Sequence, residues 1–148
     1  PQDLLILLAH PSVTDPSLAP PGRSVFSATI PVAHLGQLPL DWEAIGKVLE
    51  QRILAEVGRR LVPDIADRLV HRFHTSPRDL ALDFNAWLGS AWGLEAVPRQ
   101  SGPLRVHHHD GKIANLYLVG ASTHPGAGVA AVLAGAKATA GLMLENHK

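Results

Sequence analysis

The segment 115–145 constrains the fold more than any other stretch of the chain. An apolar run, Asn115-Leu116-Tyr117-Leu118-Val119, leads into the bend Gly120-Ala121-Ser122-Thr123-His124-Pro125-Gly126-Ala127-Gly128. The bend opens a run built mostly of Ala, Gly, Val and Leu that ends near Glu145. These residue types predict a strand, a glycine-rich turn and a helix, with Ala130, Ala131, Ala134 and Ala138 letting the helix lie tight against a sheet. A helix begins with amides that no earlier carbonyl takes, and it carries partial positive charge there. Gly120, Gly126 and Gly128 have no Cβ, so an electron-rich ligand group can approach that backbone closely. The pattern leaves two readings open: a nucleotide- or cofactor-facing turn, or a glycine loop that only packs a helix on its sheet. Gly126-x-Gly128-x-x-Ala131 also fits the loose dinucleotide fingerprint. Six residues separate Val119 from Gly126, however, and no second strand with a ribose-binding acid follows, so a complete NAD site cannot be assembled from these residues.

Composition removes several function classes. Of 148 residues, 46% are hydrophobic and 18% charged, with 13 basic against 13 acidic side chains. That apolar fraction suits a folded domain rather than disorder. The zero net charge argues against nucleic acid as a partner. With no cysteine, a disulfide framework, an iron–sulfur cluster, thiolate zinc and a cysteine nucleophile are all excluded. Charge is thinner than average, which tolerates contact with a greasy molecule. The run Leu4–Ala9 is too short for a signal core or a spanning helix, and Gly135 and Lys137 break the run from Val129. A transmembrane helix is not expected; attachment at a membrane surface remains open.

Along the chain, the short apolar run Leu4–Ala9 reads as a buried strand and the proline-rich stretch 10–22 as a loop. Residues 24–33 carry the β-branched and aromatic bias of a strand, with Pro31 at its edge. Asp41 starts a helix whose apolar stripe is Ile45, Val48, Leu49, Ile53, Val57 and Leu61, and Pro63 ends it. Residues 69–74 read as a strand. Ser76-Pro77-Arg78-Asp79 starts a second helix expected to reach about Trp87. Pro98–Pro103 is a loop and Asp110-Gly111 a tight turn before the strand 115–119. The order β, β, α, β, α, β, α fits an α/β or α+β class.

The terminal motif Asn115-Leu116-Tyr117-Leu118-Val119-Gly120-Ala121-x-Thr123-His124-Pro125-Gly126-Ala127-Gly128-Val129, followed by Ala136 to Glu145, closely resembles the carboxyl terminus of bacterial-type phytoene desaturases. These are flavin-dependent carotenoid desaturases. Similar stretches follow the family's order upstream: Thr14 to Gly22, Pro31 to Gly36, Asn85 to Ala91 and Pro98 to Ser101. Ser122 stands where the family usually has Gly, and Ala130-Ala131 where Pro-Gly is usual. The resemblance implies the carboxyl-terminal fragment of a two-domain FAD-dependent oxidoreductase fold. Residues 1–102 would be part of an α+β substrate domain, and 103–148 the closing strand, turn and helix of a Rossmann-like FAD domain. The family's amino-terminal strand–Gly-x-Gly-x-x-Gly–helix is absent from this sequence, so the rest of the polypeptide is an implied partner.

The same resemblance implies FAD as cofactor, held by Gly120, Ala121, Ser122, Thr123, His124, Pro125, Gly126, Gly128 and Val129. The helix end would lie near the flavin's pyrimidine edge, where negative charge accumulates on reduction. The implied reaction removes a hydride from a long hydrophobic polyene precursor to the flavin and a proton from the neighbouring carbon. A cytoplasmic location with peripheral membrane contact accompanies it. Two alternatives are a non-catalytic binding or assembly module, and an isomerase or saturase on the same flavin fold.

Single features have plainer readings. His107-His108-His109 lacks acidic or thiol partners at ligand spacing, and no metal site is expected. His124 is the one candidate proton handler, against a turn histidine that bonds backbone. Gly89-Ser90-Ala91 is not a nucleophile elbow. Asp79 and Asp83 read as a cap and a solvated face rather than an acid pair, Trp87 and Trp92 as core or pocket wall, and Lys137 as a solvated helix residue. Without the dinucleotide fingerprint, the 148-residue chain alone is expected to retain no flavin. A stoichiometric yellow absorbance band in the purified chain would overturn this.

Overall fold

Asp41 opens the longest helix among the described residues because its carboxylate takes amides that a first turn cannot pair internally. Its Oδ1 accepts from the N–H of Glu43 at 3.1 Å and of Ala44 at 3.2 Å. The computed structural model describes residues 4–146. Contacts divide the chain into two compact units, 1–84 and 85–148.

In the first unit β1 (Leu7–Ala9) pairs antiparallel with β2 (Ser27–Thr29), Leu7 opposite Thr29 and Ala9 opposite Ser27. Between them lie α1 (Pro11–Thr14) and a 3₁₀ turn, Pro16–Leu18, which Asp15 caps by accepting from the Ser17 N–H at 3.0 Å. His10 stacks on Phe26 with ring centroids 4.1 Å apart. The strands are shorter than the apolar runs 4–9 and 24–33 that announce them. A two-stranded pairing with no third neighbour among the described residues has too little ladder and packing to extend.

The long helix is α2 (Trp42–Arg60), and a turn through Asp64, which sits at φ 62°, leads to α3 (Ile65–Arg68). Of the apolar stripe only Val57 is buried; Val48 and Leu61 face solvent, and Trp42 and Ile65 complete the small core. Residues 69–74 form no strand. They lie instead along α2, where Glu50 takes Arg72 Nε and His74 Nδ1, both at 2.7 Å. Gly46 makes room, since a Cβ there would sit 2.5 Å from His74 Nε2. An ion-paired edge has replaced the expected strand ladder.

Ser76 begins α4 (Pro77–Asp83) with a capping box. The Ser76 hydroxyl and N–H each donate to Asp79 Oδ2 at 2.7 Å, while the Asp79 N–H points at Ser76 Oγ at 3.4 Å. The helix stops short of Trp87 because Phe84 caps it and Asn85 follows in the left-handed region at φ 52°.

The second unit holds 3₁₀ turns at Trp87–Gly89, Pro98–Gln100 and Gly102–Leu104 and one long helix, α5 (Val129–Asn146). Its contact boundary falls before the 102/103 division because Leu94 and Gly93 are tied to the bend, through Arg105 and Ser122 respectively. The expected strand 115–119 reduces to a bridge between Tyr117 and His109, with a second, parallel bridge joining Val106 to Thr123. Asn115, at φ 62°, turns the chain where that strand would begin, and the arm 106–110 supplies pairing on one side only. Asp110 forms the expected tight turn, its Oδ1 accepting from the N–H of Lys112 and of Ile113 at 2.8 Å each.

Large apolar side chains lack cover. Phe73 is 80%, Trp87 82% and Val129 80% exposed, and Trp92 is exposed too, so Trp87 and Trp92, unlike Trp42, are not core here. The accessible surface is 11253 Å² for 15.8 kDa. A folded monomer of this mass exposes about 7,300 Å², and two separate domains of half the mass about 8,800 Å². Among the described residues no helix is long and apolar enough to cross a membrane.

The Ser76 hydroxyl, then its N–H, holds the Asp79 carboxyl below the usual carboxylate range. A carboxylate depressed in the folded state adds stability that is complete above its unfolded value and lost as pH falls through the folded one. Ser76→Ala in the complete polypeptide is expected to cost about 1 kcal/mol in denaturant unfolding at pH 7. The cap's contribution should fade below about pH 4; a deficit equally large at pH 2 would contradict the assignment.

Candidate cofactor-facing turn

Arg105 follows the turn Gly102–Leu104 in extended backbone, and only 5% of it is exposed. Its Nε–H donates to Thr123 O at 3.1 Å, and Nη2 donates to Ala121 O at 2.6 Å and Leu94 O at 3.5 Å. The guanidinium thus ties the segment near Leu94 to alternate carbonyls of the glycine bend. Among the described residues no carboxylate forms an ion pair with it. Taking a cation out of water costs several kcal/mol, so these carbonyl bonds are what make its burial tolerable.

Gly126 lies against the guanidinium. A Cβ there would stand 3.6 Å from Arg105 Cζ and Nε, and its φ of 133° excludes ordinary side chains. Gly128, at φ 103°, faces open space, and its carbonyl takes the Val132 N–H at 2.9 Å as the first bond of α5. The N–H groups of Val129, Ala130 and Ala131 therefore have no backbone acceptor among the described residues, and no acidic residue lies in that first turn. The helix end keeps its positive potential.

The other bend residues are held from within. Thr123 folds back on Gly120 O through its N–H at 3.1 Å and its hydroxyl at 2.9 Å. The His124 N–H donates to Val106 O at 2.8 Å, and its Nδ1 lies 3.2 Å from Gly102 O. A ring nitrogen facing a carbonyl must carry the proton to bond it, so His124 has the geometry of a backbone-bonding turn histidine. The His124–Pro125 peptide is cis. Ser122 is exposed at the tip, beside Gly93.

The buried face of α5 docks through Gly135 and Thr139. Thr139 Oγ1 lies 2.9 Å from Gly135 O, 3.2 Å from Leu118 O and 3.0 Å from His108 Nδ1. A Cβ at Gly135 would meet His124 O at 3.2 Å, so helix and bend are in direct contact. His109 instead packs on Tyr117, ring centroids 5.0 Å apart, which separates the neighbouring histidines. Among the described residues no three His, Asp or Glu side chains are placed to hold a metal ion.

Arg105 and Thr139 were not singled out by the sequence patterns, and His108 and Gly135 were noted for other reasons, yet these four fix the bend. Two signals were there to find. Arg105 sits between Leu104 and Val106, an apolar flank unusual for a solvated cation. Thr139 is a lone hydroxyl in a run of small apolar residues, four after Gly135 and so on the same helix face.

No family model matches the chain. Curated relatives do match it. The lycopene-forming phytoene desaturase of Pseudescherichia vulneris is 48% identical over 144 residues, which is 97% of this chain and 29% of that protein. The lycopene-forming phytoene desaturase of Pantoea ananas is 47% identical over 146 residues, 98% of this chain and 30% of its own length. A Paracoccus enzyme of the same name is 43% identical over 145 residues, again 98% of this chain and 29% of the relative. The chain is a homologue of the bacterial phytoene desaturases. It spans about three tenths of their length.

In this desaturase homologue, Thr139→Val should leave Leu118 O and His108 Nδ1 without their hydroxyl. The expected loss is about 1–2 kcal/mol in the unfolding free energy of the complete polypeptide. Unchanged stability would mean that this junction does not hold the helix to the bend.

Proposed function

We propose that the chain is the carboxyl-terminal part of an FAD-dependent phytoene desaturase that introduces double bonds into a carotenoid precursor. The observation that carries this is 43–48% identity across nearly the whole chain to lycopene-forming phytoene desaturases. In this reading residues 1–102 belong to the substrate domain and 103–148 close a Rossmann-like FAD domain. The missing partner is the amino-terminal part of the same polypeptide, with the dinucleotide fingerprint. The uncovered Phe73, Trp87 and Val129 support that, because such side chains require apolar cover from elsewhere.

The donor set fits a flavin. Three free amides, a helix end without acidic residues and the open space at Gly120 and Gly128 suit an electron-rich, planar group. The residues that would hold it are Gly120 to Gly126, Gly128 and Val129. Bound FAD supplies the hydride acceptor, chemistry that no side chain of this chain possesses. The chain's own task is electrostatic and positional: the first turn of α5 presents N–H groups, and the glycines keep side chains away from them. His124 serves the bend through Gly102 O. Low charge and many small apolar residues suit a long polyene, drawn from a membrane surface by a peripheral cytoplasmic enzyme.

The test is expression of the complete reading frame. Stoichiometric FAD and conversion of supplied phytoene to red-shifted, more conjugated polyenes are expected. A frame without an upstream strand–Gly-x-Gly-x-x-Gly–helix, or conversion without added conjugation, would overturn the desaturase reading. Within the bend, Gly128→Ala forces a non-glycine residue to φ 103°. FAD retention should fall about tenfold, the scale of 1–3 kcal/mol of backbone strain; full retention would remove the bend from the cofactor site.

A further inference from the structure

We propose that Arg105 is the positioning residue of the cofactor-facing bend, and that its unneutralised charge biases a bound flavin toward the reduced form. The inference rests on the flavin reading above and adds to it a residue outside the bend. Arg105 is buried, is bonded only to the carbonyls of Leu94, Ala121 and Thr123, and has no carboxylate partner among the described residues. Carbonyl dipoles tolerate the charge but do not neutralise it. A buried cation left in this state gains energy whenever a nearby group becomes negative, and reduction of a flavin does that.

The fork has a second effect. Ala121 O and Thr123 O are the acceptors that would otherwise add negative potential at a site meant for an electron-rich ring. Arg105 binds both, and Gly126 lies beside the guanidinium with no Cβ between. Fixing these carbonyls also fixes the path from Thr123 to Gly128, and so the placement of the free amides at Val129, Ala130 and Ala131. Lysine carries the same charge but cannot span carbonyls in a planar fork, so the two effects separate by substitution.

The complete polypeptide is compared as wild type, Arg105→Gln and Arg105→Lys, with folding checked by circular dichroism. The readouts are FAD retained after gel filtration and the flavin midpoint potential. Arg105→Gln is expected to lose about tenfold in FAD retention, and about tenfold in preference for reduced over oxidised flavin, the scale of one partly screened charge. The second loss corresponds to a potential lower by about 30 mV for a two-electron couple. Arg105→Lys should keep the wild-type potential while retaining less FAD. Wild-type potential in the glutamine variant overturns the charge effect, and wild-type retention in the lysine variant overturns the fork. If neither variant folds, Arg105 is a requirement of the fold and the positioning role is overturned. A wild type that binds no FAD refutes the desaturase reading itself, and the inference falls with it.

Discussion

Burial is the constraint on which the rest of this structure depends. The chain has apolar side chains enough for a domain core, yet Trp42, Val57 and Ile65 are its buried hydrophobic residues among those described. Its surface of 11253 Å² exceeds even the roughly 8,800 Å² of two independent small domains. Local devices therefore do much of the organising: a capping box at Ser76, an Asp41 cap, an Asp110 turn and the Glu50 carboxylate that lays Arg72 and His74 along α2. Such devices fix short elements, whereas long strands require neighbours on both sides.

The second unit shows how much one buried cation can arrange. Arg105 gathers carbonyls from residues far apart in sequence and leaves the amide side of the bend available. Thr139 performs the complementary task on the helix, binding α5 to the arm at Leu118 and His108. Between them the glycines divide into inward and outward kinds. Gly126 is pressed on the guanidinium and Gly135 on His124 O, while Gly120 and Gly128 face open space. The bend thus holds both kinds, one for close packing beneath and one left open above.

Sequence was informative wherever the cause is local. Asp41, Pro63 and the Ser76-Pro77-x-Asp79 pattern placed helix starts and a stop because capping involves residues within one turn of each other. The bend and the start of α5 were legible from glycine and alanine placement for the same reason. The strands at 69–74 and 115–119 were misread because β-branched and apolar content signals a strand only when partners exist to pair with it. Trp87 and Trp92 were read as core or pocket wall on hydrophobicity alone; both are exposed, which removes them from the core of this chain.

The sequence by itself carried the likeness to phytoene desaturases, through a terminal motif whose residue order they share, and it picked out the glycines that leave backbone uncovered. The tertiary structure alone decided what lies beneath that backbone. Arg105 precedes Thr123 by many residues, and a bond between a side chain and a distant carbonyl leaves no periodic or short-range trace in sequence. Its burial without a carboxylate, the property that gives the bend its charge, exists only once the chain has folded around it.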